Sequence, residues 1–490
     1  LYLESFGNPG KFRRLAQRIT RSKPILAVKA GRSAAGARAA GTHTGALAGL
    51  DVAVETLLDQ CGVLRASTIQ EMFVFAQALA TQPLPRGKRV AVVTNAGGPG
   101  ILAADALEHL GMALPQLTPA SLDALRAVLP PEATPANPID LIASARDDRY
   151  RAAVKIAAAD PNVDALLVVF VSPIMIDAHS VAVAIVEATR GTDKPVAMCF
   201  MGKLGQEEGR RVFDAAGIPV YVFPELAAEG LASMERCRAF RARDAGKIVA
   251  LELDAARAAS ILAGARAAGR RDLDLVEALD LLEAAGIPTA TRKVVASEAE
   301  AIAFGLDAGY PIVLKVVATA LSHKTEAGGV RVDLRNGDEA GDAYRKMAKE
   351  LARFGEGSRI LAQKMTAGRE VIFGVTHDPQ FGPLAMFGLG GVYVEVLKDV
   401  TFKILPVTDR EAGDMVRGIR GFPLLAGVRG EKPADLAVLE EMLLRLSQLI
   451  SDHPSIDALD VNPFFAAGTR EGSRAVDARV RLKEPVEMRP

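Results

Sequence analysis

The sequence predicts an α/β protein, with doubly wound units in its first half and an α+β unit at its end. Three observations predict it. Short β-rich runs alternate with alanine-rich helical stretches up to about Phe240, the rhythm of repeated βαβ units. Runs as apolar as "ALLVVFV" (Ala165–Val171) suit parallel strands buried on both faces. From about Val276 the rhythm breaks, and "EVIFGVTHDPQFGPLAMFGLGG" reads as an antiparallel meander.

In chain order, "KPILAVKAG" is the first clear strand, followed by the helical pattern around "ALAGLDVAVETLLDQCG". "QPLPRGK" (Gln82–Lys88) is a Pro-rich break and a boundary. "KRVAVVTNAGGPG" then runs into the helix "ILAADALEHLG", and "DALLVVFVS", "KPVAMCFMG" and "IPVYVF" continue the alternation. Residues 241–275 are charged, alanine-rich and helical in spacing, and read as a linker. "ALDLLEAAGIPT" is a helix closed by Gly and Pro, and "YPIVLKVV" is a strand. The expected domains are 1–84, 86–240, the linker 241–275, and 276–490.

The composition excludes several function classes. At roughly 100–200 residues per domain, 490 residues suggest about three domains. Lys plus Arg and Asp plus Glu both number 59, so no net charge points to nucleic acid or a charged partner. No apolar run is long enough to span a bilayer, and no membrane association is expected. Cys61, Cys199 and Cys237 form neither a CxxC pair nor a disulfide framework, which fits a reducing, cytoplasmic setting. The chain opens "LYLESFG", with no initiator Met and as if inside a strand, so an upstream portion is expected to be missing.

Four stretches carry chemistry. "GTHTGALAG" (Gly41–Gly49) places His43 among small residues. A loop histidine bonded to backbone is the plain alternative. Bare neighbours instead let a bulky group reach the ring, and a neutral imidazole can attack a phosphoryl group. No Cys, Asp or Glu lies close enough in sequence to share a metal with it. "TNAGGPG" (Thr94–Gly100) joins a strand to a helix, so Gly97, Gly98 and Gly100 suit a phosphate cradle, although such turns are common. In "VLKVVATALSHKTEAGGV", Lys315 ends a strand and can hold nucleotide phosphates, while His323 sits near glycines that permit a mobile loop. A surface Lys and a turn are the alternative. "DALDVNPFF" is followed by "AVDARV", fifteen residues from Asn462 to Asp477. These two offer hard oxygens to Mg2+, against an Asx turn before Pro.

Together these motifs resemble the NDP-forming acyl-CoA synthetases, or acetate–CoA ligases (ADP-forming), relatives of succinyl-CoA synthetase. "KPILAVKAGRSAAGARAAGTHTGALAG" is similar to that family's phosphohistidine segment, with Thr42 where Ser is usual. "LYLESF" is similar to the strand whose Glu supports the histidine. "ATPANPIDLI" is similar to the next domain. "GYPIVLKVVATALSHKTEAGGVRVDL", "FGPLAMFGLGGVYVEVLKDVTFKILPV" and "DALDVNPFF" are similar to its ATP-grasp part, with Asp457 where Glu is often seen. The resemblance covers essentially the whole chain, without the family's N-terminal CoA-binding domain.

The resemblance implies two flavodoxin-like succinyl-CoA synthetase-type domains, then an ATP-grasp domain. It implies reversible conversion of acyl-CoA, ADP and phosphate to carboxylate, CoA and ATP. His43 would carry the phosphoryl group, with Glu4 fixing its tautomer. His323 would be a second phosphorylated histidine, supported by Asp460. Lys315 and Glu370 would meet ATP or ADP, and Asn462 with Asp477 would hold Mg2+. The partners implied are a small carboxylate, coenzyme A and nucleotide, in a homo-oligomer. Two rivals remain at this point. One is a non-catalytic ligase-like regulatory module of a lysine acetyltransferase. The other is a different ATP-grasp carboxylate ligase, which would not need His43. The first 80 residues are further expected to be loosely held or to pack on a neighbour, because a cut parallel sheet exposes an edge.

Overall fold

A computed structural model of the protein describes residues 1–31, 51–202, 206–318, 329–355, 357–391, 399–428, 430 and 432–484. Contacts divide the chain into two units, Leu1–Ala48 with Leu58–Arg243, and Gly49–Leu57 with Asp244–Pro490.

The first unit holds two parallel sheets. Strands β1 (Tyr2–Leu3), β2 (Leu26–Lys29) and β3 (Leu64–Ala66) pair in that order. Strands β4 (Val90–Thr94), β5 (Ile139–Asp140), β6 (Ala165–Val171), β7 (Val196–Met201) and β8 (Val220–Tyr221) form the second sheet in the order β5-β4-β6-β7-β8. Every residue of β4 and the first six of β6 are buried, as all-apolar strand sequences require when helices cover both faces.

Of the two outcomes expected for the first segment, packing on a neighbour is the one observed. Val28, Leu64, Ala66, Val74, Phe75 and Ala78 share one core with Val90, Val92, Leu167 and Ala197 of the second sheet. The last helix of this unit, Pro224–Ala242, is tied back to its start. Arg21 Nη1 donates to the carbonyls of Phe240, Arg241 and Arg243 at 3.2, 3.3 and 2.5 Å. Its guanidinium lies 5.0 Å from the centre of the Phe240 ring. Arg241 donates in return to the carbonyls of Thr20 and Ser22.

The second unit carries two antiparallel sheets. Strands β9 (Arg292–Val295), β10 (Ile312–Val317), β11 (Val330–Leu334) and β12 (Arg359–Lys364) are ordered β11-β10-β12-β9. The other sheet is built on β13 (Arg369–Asp378), β14 (Gly382–Leu389), β15 (Val400–Ile404) and β16 (Ile456–Ala466), ordered β15-β14-β13-β16. The short β17 (Arg474–Ala475) and β18 (Ala478–Leu482) both pair with β16. The meander read from the sequence is the β13–β14 hairpin, in register from Val371↔Leu389 to Asp378↔Gly382.

The helix read in "ALDLLEAAGIPT" spans Leu275–Ala284. Asp274 and Glu277 form a reciprocal capping box at its start, and Gly286, with φ +75°, lets the chain turn away after its end. In the stretch read as a linker, helix Ala255–Ala267 places Ala258, Leu262 and Ala265 in the same core as Leu279, Phe373 and Leu443.

Candidate functional site

Two places bring predicted residues together. The first is the carboxyl end of β4. Helix Gly97–His109 begins there behind Ala96, whose side chain cannot cap it, so the first-turn N–H groups face outward from exposed Gly97 and Gly98. Thr94 fixes the turn, accepting from Ala96 N at 3.0 Å and donating to Ala96 O at 2.9 Å. A Cβ at Gly100 would lie 2.9 Å from Thr94 Cγ2, whereas one at Gly98 would meet nothing within 4 Å. Asn95, 2% exposed, binds both backbone groups of Val171 at 2.9 Å and so joins the loops after β4 and β6.

The second place lies in the Asp244–Pro490 unit. Lys315 is neither at a strand end nor on the surface. It sits inside β10, 7% exposed, with its Nζ 2.7 Å from Val476 O and 3.9 Å from Asp477 Oδ2. Asn462 is not in an Asx turn either. It stands exposed within β16, between the pairs Val461↔Ala478 and Phe464↔Ala475, opposite the gap that contains Asp477. Two oxygen-bearing side chains from adjacent segments, one of them already beside an ammonium, form a donor set that fits Mg2+ shared with phosphate oxygens.

Glu370, the second residue of β13, lies opposite Phe465. Gly390 and Gly391 are needed beside it, since their Cβ atoms would come within 2.9 and 3.0 Å of the Glu370 side chain. Asp460 is two residues from Asn462 and so shares its strand face. It pairs with Gly374 on one side and Arg479 on the other. With Gly374, Thr376, Met386, Arg479 and Arg481 it lines a cavity of about 360 Å³. Burial pushes its carboxyl above the usual carboxylate range; Arg479 opposes the shift and Asp477 adds to it.

Three family models match the chain in sequence. A Succinyl-CoA ligase like flavodoxin domain covers residues 1–79, a Ligase-CoA domain 90–247, and an ATP-grasp domain 264–482. The 4-hydroxybutyrate–CoA ligase [ADP-forming] of Nitrosopumilus maritimus is 35% identical over 488 residues, 98% of this chain and 70% of that protein. Acetate–CoA ligase [ADP-forming] I of Archaeoglobus fulgidus is 36% identical over 490 residues, 99% of this chain and 70% of that protein. This chain belongs to the ADP-forming acyl-CoA synthetase family.

Flavodoxin-like CoA-ligase domains followed by an ATP-grasp domain are therefore the fold class of this synthetase. Its Glu4 lies half-buried just beyond β1, whereas His43 and His323 fall outside the described residues. Two residues of the synthetase were missed by sequence reasoning. Asp140, inside the quoted "ATPANPIDLI", abuts Gly97, where a Cβ would lie 3.4 Å from Asp140 Oδ2. Gln363 is 1% exposed, and its Nε2 has no hydrogen-bond partner among the described residues. Lys315 pairs with Leu361, two residues from Gln363, so the carboxamide shares the face of Lys315. No pattern in a run like "RILAQK" marks that side chain; its signal is a polar residue at a buried strand position.

Proposed function

We propose that the protein is an ADP-forming acyl-CoA synthetase, an acid–thiol ligase that converts acyl-CoA, ADP and phosphate reversibly to carboxylate, CoA and ATP through phosphohistidine. The observation that carries this reading is the grouping of Lys315, Asn462 and Asp477 in the ATP-grasp domain, in a chain that also retains the His43 segment and the glycine turn. The named relatives are both ADP-forming ligases, which favours this reading over a regulatory module or a carboxylate–amine ligase.

In the thioester half, phosphate seated at Gly97, Gly98 and Gly100 attacks the acyl carbon, and the C–S bond breaks. His43, its tautomer held by Glu4, takes the phosphoryl group from the acyl phosphate and releases the carboxylate. His323, supported by Asp460, receives the group on its way to ADP. Lys315 places a fixed positive charge on the nucleotide phosphates, and Glu370 meets the nucleotide beside them. Asn462 and Asp477 would hold Mg2+, which supplies charge neutralisation between phosphate oxygens.

Coenzyme A, a small carboxylate and nucleotide are its small-molecule partners, and a homo-oligomer is part of the reading. Among the described residues no helix is long and apolar enough to cross a membrane. The three cysteines are buried and form no disulfide among the described residues, in keeping with a reducing, cytoplasmic compartment.

The test is phosphorylation. Given labelled ATP and Mg2+, the protein should gain acid-labile phosphate. Equal labelling of a His43→Ala, His323→Ala double variant would exclude the histidine route.

A further inference from the structure

The carboxylate of Asp140 is aimed with unusual care for a residue with no ion pair among the described residues. It ends β5 in register with Thr94, the last residue of β4. Its backbone is fixed on both sides: Asp140 N donates to Thr134 O at 3.0 Å, Thr134 N donates to Asp140 O at 2.9 Å, and Leu141 N donates to Thr94 O at 2.7 Å. Oδ1 accepts from Ile142 N at 2.9 Å. That bond accompanies a left-handed backbone at Ile142, φ +64°, which a β-branched residue adopts only under strain. Oδ2 accepts no hydrogen bond among the described residues and points to the first residue of helix Gly97–His109.

A free carboxylate oxygen at the start of a helix is a poor neighbour for an anion. It would repel phosphate and sulfate alike, since the two have similar size and charge near neutral pH. The repulsion changes sign for one of them. Hydrogen phosphate carries an O–H, which can donate to a carboxylate in a charge-assisted bond; sulfate carries none. We propose that Asp140 recognises inorganic phosphate through this proton, and then carries the proton from phosphate to the departing CoA thiolate. The proposal rests on the reading of the Gly97–Gly98 turn as the seat of phosphate.

The step balances without a further reactant. A phosphate oxygen forms a bond to the thioester carbon while the phosphate O–H proton passes to Oδ2. The C–S bond breaks and its electron pair leaves on sulfur. The thiolate then takes the proton from Asp140. Hydrogen phosphate and acyl-CoA have become acyl phosphate and CoA thiol, and Asp140 is again a carboxylate. A residue that accepts and returns a proton within one step needs a reachable oxygen with no other claim on it. Oδ2 is such an oxygen, while Oδ1 holds the side chain in place.

The test compares the wild type with Asp140→Asn and Asp140→Glu. In Asp140→Asn the amide oxygen keeps the bond to Ile142 N, and the NH2 group takes the place of Oδ2, turning an acceptor into a donor. Calorimetric titration with inorganic phosphate and with sulfate should show the wild type preferring phosphate by about tenfold or more. The asparagine variant should bring that ratio close to one, chiefly by admitting sulfate. Phosphate-dependent cleavage of acetyl-CoA and of 4-hydroxybutyryl-CoA should fall by about a hundredfold, while histidine labelling from ATP persists. Asp140→Glu should still exclude sulfate but cleave slowly, because its carboxylate is displaced by a methylene. An unchanged phosphate-to-sulfate ratio in Asp140→Asn, with histidine labelling intact, overturns the role of Asp140 alone. Absence of histidine labelling in the wild type strikes the phosphohistidine reading instead.

Discussion

The Lys315 ammonium is held between a carbonyl and a carboxylate: it lies 2.7 Å from Val476 O and 3.9 Å from Asp477 Oδ2. A lysine only 7% exposed would be costly without such partners. The arrangement fixes the charge in advance, so under the role proposed for Lys315 little reorganisation is left for binding.

Replacing Lys315 with Met tests this relationship. The thioether chain fills similar space but leaves Val476 O without this donor, a cost of about 1–3 kcal/mol offset in part by removal of a buried charge. We expect a net stability loss of about 1 kcal/mol in urea unfolding. Mg-ATP affinity measured by calorimetry should fall by about tenfold or more. Unchanged affinity would remove Lys315 from the nucleotide site.

The glycines of the β4 turn should separate by experiment. Gly98→Ala meets nothing within 4 Å and should raise stability by up to about 1 kcal/mol through helix propensity. Gly100→Ala should lower it by about 1–3 kcal/mol, since its Cβ would lie 2.9 Å from a Thr94 side chain already bonded to both backbone groups of Ala96. Thermal unfolding of the two variants reads the difference; equal shifts would refute the packing argument.

Asp460 predicts a pH dependence. Burial raises its carboxyl above the ordinary carboxylate range, so the folded state favours the neutral acid. As pH climbs through the ordinary carboxylate range the unfolded chain ionises first, and the folded state loses stability relative to it. Asp460→Asn does not titrate. Its stability advantage over wild type should be absent in acid and grow from about pH 4 toward neutrality. Denaturant melts across that range decide it, and an advantage independent of pH would contradict the burial argument.

The fold was legible where one pattern governed one surface. β4 and β6 are apolar at almost every position because helices cover both faces, and "TNAGGPG" announces the turn that Gly100 and Thr94 require. What escaped the sequence depends on pairing between distant segments. Nothing near Lys315 shows that the Val476 carbonyl, 161 residues away, will bury it within a strand. Likewise, Pro463 after Asn462 suggests a turn, yet β16 runs through both, with its pairing to β13 resuming on either side of a register shift at these two residues. Asp140 was visible as a letter, but its meaning came from the register that sets β5 beside β4. The shared core that takes in Val28, Leu64 and Phe75 had no local signature either, since Val28 and Leu64 look alike whether their sheet is closed or open.

The clasp between Arg21 and the end of helix Pro224–Ala242 has a mechanical consequence. The segment that leaves the first unit at Arg243 is anchored to residues near that unit's beginning. Gly62 makes the anchor tight, for a Cβ there would overlap the Phe240 ring at 2.2 Å. A pull transmitted backward through residue 243 would be borne at this anchor, by guanidinium–carbonyl bonds and one aromatic face. Strands β4, β5 and β6 join the chain elsewhere, so load on the unit's exit meets this anchor before it meets the β4 turn.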